Sequence, residues 1–259
     1  MANNLSNFTL SPTKVDTFQK CPRQFYYNYI KQPFPQTEKK WFLIGNVVHR
    51  ALQDFHGPEF ISARWPQLMS KCFRAAVESH HAMDKVKSGL ITKSDLYSMK
   101  NMLKDYIAFL RSGVAINVFS LEKLGKVNIK GVPVYLKSDR VDLLPQGGYL
   151  VIDYKTSQNP ATKKEELSSV QLPSYALWLR QNYDKKAEVE GAYYYIRHIL
   201  NKGVHSHKIT EEWMEIASAK YVDVYAQVKN GCAYAPIKNY KNCNFCDYRL
   251  PCSSDYGLK

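Results

Sequence analysis

Tyr135-Leu-Lys-Ser-Asp139-Arg-Val-Asp-Leu-Leu-Pro-Gln-Gly-Gly148-Tyr-Leu-Val-Ile-Asp153-Tyr-Lys155-Thr156 reads as two β-strands joined by a tight turn at Pro145-Gln-Gly-Gly148. The second strand, Gly148 to Tyr154, is rich in aromatic and β-branched residues and ends in Asp153-Tyr-Lys155. Asp139 on one strand and Asp153 on its neighbour can face each other across the sheet. Two such carboxylate oxygens suit a hard divalent cation. Side chains alternate along a strand, so Lys155 shares the face of Asp153. Hydrolysis of a phosphodiester needs a cation to neutralise the phosphoryl oxygens and to lower the pKa of an attacking water. It also needs a positive group beside the attacked phosphate, a part Lys155 can take. On its own the spacing more often marks ordinary strand-end carboxylates and a solvated lysine, so the rest of the chain has to decide.

The chain has 259 residues, 45% of them hydrophobic and 13% aromatic, enough to bury a full core. Its formal net charge of +13 suits a phosphate-rich partner or an anionic surface. No apolar run reaches the roughly 18 residues of a membrane span. Met1-Ala-Asn-Asn-Leu-Ser-Asn-Phe8 has no charged stretch followed by an apolar one, so no signal peptide is expected and a cytoplasmic, reducing compartment is. There, six cysteines read as metal ligands or free thiols before disulfides.

Outward from the hairpin, the periodicity predicts helices on the N-terminal side. One starts at Leu10-Ser-Pro-Thr, with Thr13 and Asp16 at capping-box spacing, and runs to about Tyr29, with Pro22 after Cys21 expected to bend or divide it. A second carries Gly45 and His49 beside the apolar stripe Val48, Ala51, Leu52 and Phe55. Residues 58–118 read as helical, clearest over Ser94–Ser112 with a stop at Gly113. From Phe119 the period moves toward two. After Thr156 a polar loop leads to a helix holding Gln171 and Tyr175, four apart and so on one face, where an amide and a phenol can reach a phosphate or its water. Gly191–Ile199 and Val204–Ile209 form a hairpin. His205 and His207 share a face of its second strand, and no nearby carboxylate is evident to complete a site. A last helix spans about Thr210 to Lys229, with Trp213, Ile216, Ala217, Val224 and Val228 expected inward.

Cys243-Asn-Phe-Cys246-Asp-Tyr-Arg-Leu-Pro-Cys252 is the most specific local signal: three thiols with the spacing of metal or iron–sulfur ligands. The fourth ligand is either Cys232, giving a local zinc knuckle, or Cys21, joining the two ends of the chain.

Together these segments resemble the RecB-like nucleases of the PD-(D/E)XK superfamily, in particular the iron–sulfur branch with the AddB C-terminal nuclease, CRISPR-associated RecB-type exonucleases and exonuclease V. The resemblance runs through Ser11-Pro-Thr, Cys21-Pro-Arg-Gln-Phe, Gly45-Asn-Val-Val-His49, Asp139-Arg-Val-Asp142, Ile152-Asp153-Tyr154-Lys155-Thr156, Gln171-Leu-Pro-Ser-Tyr175 and the cysteine triplet. It implies an α/β, restriction-endonuclease-like core in one domain: a helical portion over 10–115, a mixed sheet over 116–209, and a C-terminal helix and cysteine segment over 210–259. It implies that His49, Asp139, Asp153 and the Tyr154 carbonyl bind Mg²⁺ or Mn²⁺. Of the acids Asp139 and Asp142, the family register makes the first the ligand. Lys155 would position and activate water, with Gln171 and Tyr175 in support. Cys21, Cys243, Cys246 and Cys252 would hold a [4Fe–4S] cluster. The implied activity is metal-dependent DNA hydrolysis, exonucleolytic on single-stranded or frayed ends. The other reading is a non-catalytic DNA-binding accessory subunit of a recombination or repair complex. No Gly-x4-Gly-Lys-Ser/Thr loop is present, so a helicase or recombination partner in trans would supply any unwinding.

Overall fold

The computed structural model describes residues 8–31, 38–60, 64–238 and 243–256. The expectation about residues 1–7 falls outside them. The hairpin forms as read. Strand β2 (Val132–Leu143) and strand β3 (Tyr149–Lys155) pair antiparallel, with Arg140 opposite Ile152 and Asp142 opposite Leu150. Gly147 and Gly148 both take positive φ in the turn, and a Cβ on Gly148 would stand 2.4 Å from the Glu188 carbonyl. Only glycine closes the turn against that neighbour.

Three more strands complete a five-stranded sheet in the order β1-β2-β3-β4-β5: β1 (Val118–Ile129), β4 (Val189–Tyr195) and β5 (Val204–Lys208). Every neighbouring pair is antiparallel except β3 and β4, which run parallel. A parallel pair needs a crossover. Helices α7 (Lys163–Ser168) and α8 (Gln171–Asn182) supply it, α7 replacing part of the loop expected after Thr156. Pro173 sits in the first turn of α8, where its missing N–H costs nothing.

Both faces of the sheet are covered, so the central strands lose the simple alternation of a half-solvated sheet. Val151 packs with helices α1 (Pro12–Lys20), α8 and α9 (Glu211–Lys229). Its neighbour Ile152 packs on the other face with α3 (Lys40–Phe55), α4 (Trp65–Ser79) and α6 (Lys93–Arg111). Between α4 and α6 lies the short α5 (Ala82–Lys87). This is the mixed, helix-flanked α/β architecture of a restriction-endonuclease-like fold.

Two local readings change, the N-cap of the first helix and the inward face of α9, while the division at Cys21-Pro22 forms as expected. The first helix is capped by Ser11, whose side chain accepts from the Lys14 N–H at 3.3 Å. Pro12 at the first helical position sets that start, so Thr13 is already inside the helix and cannot cap it. The helix breaks at Cys21, resumes as α2 (Pro22–Phe25) and ends in a π-turn over Tyr26–Ile30. In α9, Ile216 is exposed, and Tyr221 is the large side chain that turns inward instead. The last helix described, α10 (Arg249–Tyr256), carries Cys252, the last thiol of the cysteine segment.

Candidate active site

Asp139 leaves β2 on the face opposite its neighbour Arg140, because side chains alternate. Arg140 is buried and donates from Nε to Asp142 at 2.7 Å, with a second ion contact between the same two groups. From Nη1 it also reaches the Tyr106 hydroxyl and His56 Nε2, each at 2.9 Å. Asp142 is therefore engaged in the packing of the helical side, and Asp139 is the acid of that motif at the cleft.

Asp139 accepts the Tyr154 backbone N–H at 2.8 Å through Oδ2, while Oδ1 lies 3.3 Å from His49 Nδ1. His49 reaches the strand end from the middle of α3, on the face it shares with Gly45. Asp153 is 2% exposed. Its Oδ1 accepts from Gln171 Nε2 at 2.5 Å, and its Oδ2 lies 2.5 Å from Lys155 Nζ. Lys155 donates in turn to Gln171 Oε1 at 2.9 Å. Gln171 thus ties the acid and the lysine together with both ends of one amide. Tyr175, one turn on, accepts from Gln171 at 3.1 Å and donates to the Lys137 carbonyl of β2 at 3.0 Å. Tyr154 turns its ring to the opposite face, toward Tyr106 and Arg140, and its residue lines the cleft.

The charges of these groups are interlocked. Burial opposes charge on His49, but the Asp139 carboxylate outweighs it and raises the imidazole pKa. Burial also works against the Asp139 charge, and His49 with the Tyr154 N–H more than offsets it, so this pKa is lowered. Burial raises the pKa of Asp153. For Lys155, burial is outweighed by Asp153, and the ammonium is favoured.

One acid here escaped the sequence reading. Glu122 of β1 stands between residues paired with Arg140 and Ser138, and so opposite Asp139. It adopts φ +46°, a left-handed conformation uncommon for a non-glycine residue. Its carboxylate pairs with Lys137. His49, Glu122 and Asp139 bring ligand atoms within 4.8 Å of one another. A β-strand glutamate ordinarily points to solvent, and only the local twist at Glu122 signals otherwise. Asp153 Oδ2, buried and close to Lys155, receives no directed hydrogen bond. Asp153 Oδ2 faces the Lys155 ammonium and lies outside that group of three, while the imidazole of His49 and the carboxylates of Glu122 and Asp139 fit a hard cation such as Mg²⁺ or Mn²⁺.

The cysteines fall elsewhere. Cys21, Cys243, Cys246 and Cys252 line one cavity of about 350 Å³, with Arg23, Tyr27 and Tyr248 in its wall. Among the described residues no three thiol sulfurs lie mutually within 4.8 Å. Cys232 is not in that wall and packs on the apolar cluster beside Tyr234. His205 and His207 do have a carboxylate: Glu166 of α7, 3% exposed, meets His205 Nδ1 at 2.6 Å and His207 Nε2 at 2.9 Å. It also accepts the Tyr195 hydroxyl at 2.8 Å. The sequence hid this partner because it lies about forty residues away on the crossover.

Central strands that carry Asp139, Asp153 and Lys155, with His49 of α3 beside Asp139, make an arrangement suited to phosphodiester hydrolysis. The chain belongs to the PD-(D/E)XK nuclease superfamily, whose model matches residues 9–253. Nucleases of this superfamily usually use Mg²⁺ or Mn²⁺. The crystal structure of a candidate exonuclease from Eubacterium rectale superposes with a TM-score of 0.56 at 12% identity, over 100% of this chain and 94% of that one. At that identity the likeness shows the fold. The crystal structure of SSO0001 aligns over 93% of this chain and 95% of that one at 13% identity, but its TM-score of 0.35 carries no argument. None of the curated proteins matches this chain. Among the described residues no helix is long and apolar enough to cross a membrane.

Proposed function

We propose that this nuclease is a metal-dependent deoxyribonuclease of the RecB-like iron–sulfur branch, acting as an exonuclease on single-stranded or frayed ends. The observation that carries the reading is the convergence of His49, Asp139, Asp153 and Lys155 from α3, β2 and β3, with His49, Glu122 and Asp139 bringing ligand atoms within 4.8 Å of one another. His49, Asp139 and Asp153 would hold Mg²⁺ or Mn²⁺, with the Tyr154 carbonyl and Glu122 as further oxygen donors. Bound there, the ion neutralises phosphoryl charge and makes water acidic enough to attack near neutral pH.

The protein's own groups supply the rest. Lys155 stays protonated against its burial because Asp153 is beside it, so a fixed positive charge faces the incoming phosphate. Gln171 holds that ammonium and Asp153 in one arrangement, and Tyr175 fixes Gln171 to the backbone of β2. Positioning of this kind removes the cost of aligning water and phosphate at each turnover. Hydrolysis would leave a 5′-phosphate.

For the thiols, support comes from the cavity that Cys21, Cys243, Cys246 and Cys252 share. The cluster would join the first helices to the C-terminal segment and act as a structural clamp.

The test is end-labelled single-stranded DNA with Mn²⁺, alongside EDTA and Lys155→Ala controls. Metal-dependent shortening that the variant loses is the expected result. Binding without cleavage by cluster-replete wild type would overturn it in favour of an accessory DNA-binding subunit.

A further inference from the structure

Trp41 and Phe42 are out of place for a folded chain. They lie in the first turn of α3, 57% and 61% exposed, while Leu43, Ile44, Val47 and Val48 of the same helix are buried. Neither belongs to the apolar clusters on the two sheet faces. Both line the cavity of about 850 Å³ that also holds His49, Asp139 and Lys155. Their ring centroids are 6.3 Å apart, and Lys39 Nζ stands 5.1 Å over the Trp41 ring.

Phe42 and His49 are seven residues apart, so they share a helix face and are separated by about 10 Å along its axis. Between them lie Gly45 and Asn46. Gly45 offers no side chain to obstruct that path, and a Cβ there would already touch Thr156 Oγ1 at 3.4 Å. The cavity is far larger than a metal ion and one phosphate require, and Arg50, Lys137 and Lys155 line it beside the acids Glu122 and Asp139. Exposed aromatic rings at one end of a cleft that carries basic side chains are the two components of single-strand binding: stacking for the bases and charge for the backbone. A duplex keeps its bases stacked on one another and offers these rings only a terminal pair.

We propose that Trp41 and Phe42 form a stacking platform for an unpaired nucleobase next to the scissile phosphate, and so select single-stranded over duplex substrate. This rests on the nuclease reading of the site. An aromatic platform also explains why the cleft carries two large apolar surfaces that contribute nothing to the core.

The experiment separates the two ideas by measuring binding without cleavage. Wild-type protein in EDTA is titrated with a labelled twelve-residue oligothymidylate and, in parallel, with an abasic strand of the same length and charge. Wild type is expected to bind the oligothymidylate about tenfold more tightly than the abasic strand. The double variant Trp41→Ala/Phe42→Ala should bind both alike, at the affinity wild type shows for the abasic strand. Trp41→Phe/Phe42→Tyr, which keeps two rings, should restore most of the difference. Hydrolysis of bis(p-nitrophenyl) phosphate with Mn²⁺ reports the catalytic groups alone and should not change in the double variant. Equal affinity of wild type and double variant for oligothymidylate would overturn the proposal, as would an equal loss on the abasic strand. A wild-type dimer that the double variant dissociates, with DNA affinity unchanged, would reassign the rings to self-association. Failure of the small phosphodiester reaction in wild type would count against the nuclease reading and leave the base-stacking comparison intact.

Discussion

Glu122 holds a strained backbone conformation for a carboxylate that the core does not need. Left-handed non-glycine residues cost of order 1 kcal/mol and persist where the surroundings over-determine them. Here the reward is an oxygen facing Asp139 and His49. Glu122→Gln should lower Mn²⁺ affinity by about tenfold or more, measured by titration calorimetry, with a melting temperature within a few degrees of wild type. An unchanged Mn²⁺ affinity would remove Glu122 from the site. His56 gives a second test at this scale. Arg140 can only donate, so His56 Nε2 accepts and the proton sits on Nδ1, a buried atom without a hydrogen-bond partner. Burial, reinforced by the Arg140 charge, pushes the imidazole pKa well down. The unfolded histidine, with a pKa near 6.5, binds a proton that the folded one refuses. Stability is therefore intact above about pH 6.5 and falls below it, by up to about 1.4 kcal/mol per pH unit from this group. Urea denaturation at pH 7.5 and 5.5 should show that fall, and His56→Asn should flatten it.

At the level of elements, the crossover carries more than its connecting role. Glu166 on α7 accepts from two imidazoles of β5 and a tyrosine of β4, so a short helix is pinned to the edge of the sheet. An edge strand is the part of a sheet most open to fraying or foreign pairing. Glu166→Ala removes the shared acceptor and leaves three polar partners to find water. It should destabilise the protein by about 3 kcal/mol in chemical denaturation, and Glu166→Gln should recover part of that loss. A variant as stable as wild type would show that the edge is held by packing alone. The sequence placed His205 and His207 correctly on one strand face, since alternation is local. It could not supply Glu166, because the partner arrives through a parallel crossover whose geometry is set by the whole sheet.

For the molecule as a whole, the two ends meet at the thiol cavity. Arg23 and Tyr27 from the first helices contact Asp255 of the last, and Tyr248 stacks on Tyr27 with centroids 5.1 Å apart. A cluster bound by Cys21 and the C-terminal thiols would close a loop of nearly the entire chain, and such links favour the folded state. Anaerobically purified protein should be brown, with broad absorbance near 400 nm as a rough guide. Cys252→Ser should lose that colour and melt several degrees lower. A colourless wild type containing zinc would overturn the iron–sulfur assignment and leave the nuclease site untouched. The basic surplus belongs to this scale too. A net charge of +13 predicts nucleic-acid affinity that falls steeply with added salt, since each phosphate contact releases counterions.

The sequence by itself determined the strands and their turn, the helical N-terminal half, the placing of Asp139 and Asp153 on neighbouring strands, and the face shared by Gln171 and Tyr175. These depend on periodicity and on residue type within a few positions, which a single chain displays directly. Residue type left Asp139 and Asp142 open, the family register favoured Asp139, and tertiary structure supplies the physical reason: Asp139 meets His49 while Asp142 is held by Arg140 on the other face of the sheet. Tertiary structure alone brought in Glu122 and Glu166, and it places Cys21, the cysteine the resemblance implied, in one cavity with the C-terminal thiols. Contacts between residues far apart in sequence are fixed by the packing of complete elements, and no local pattern encodes which distant side chain will arrive.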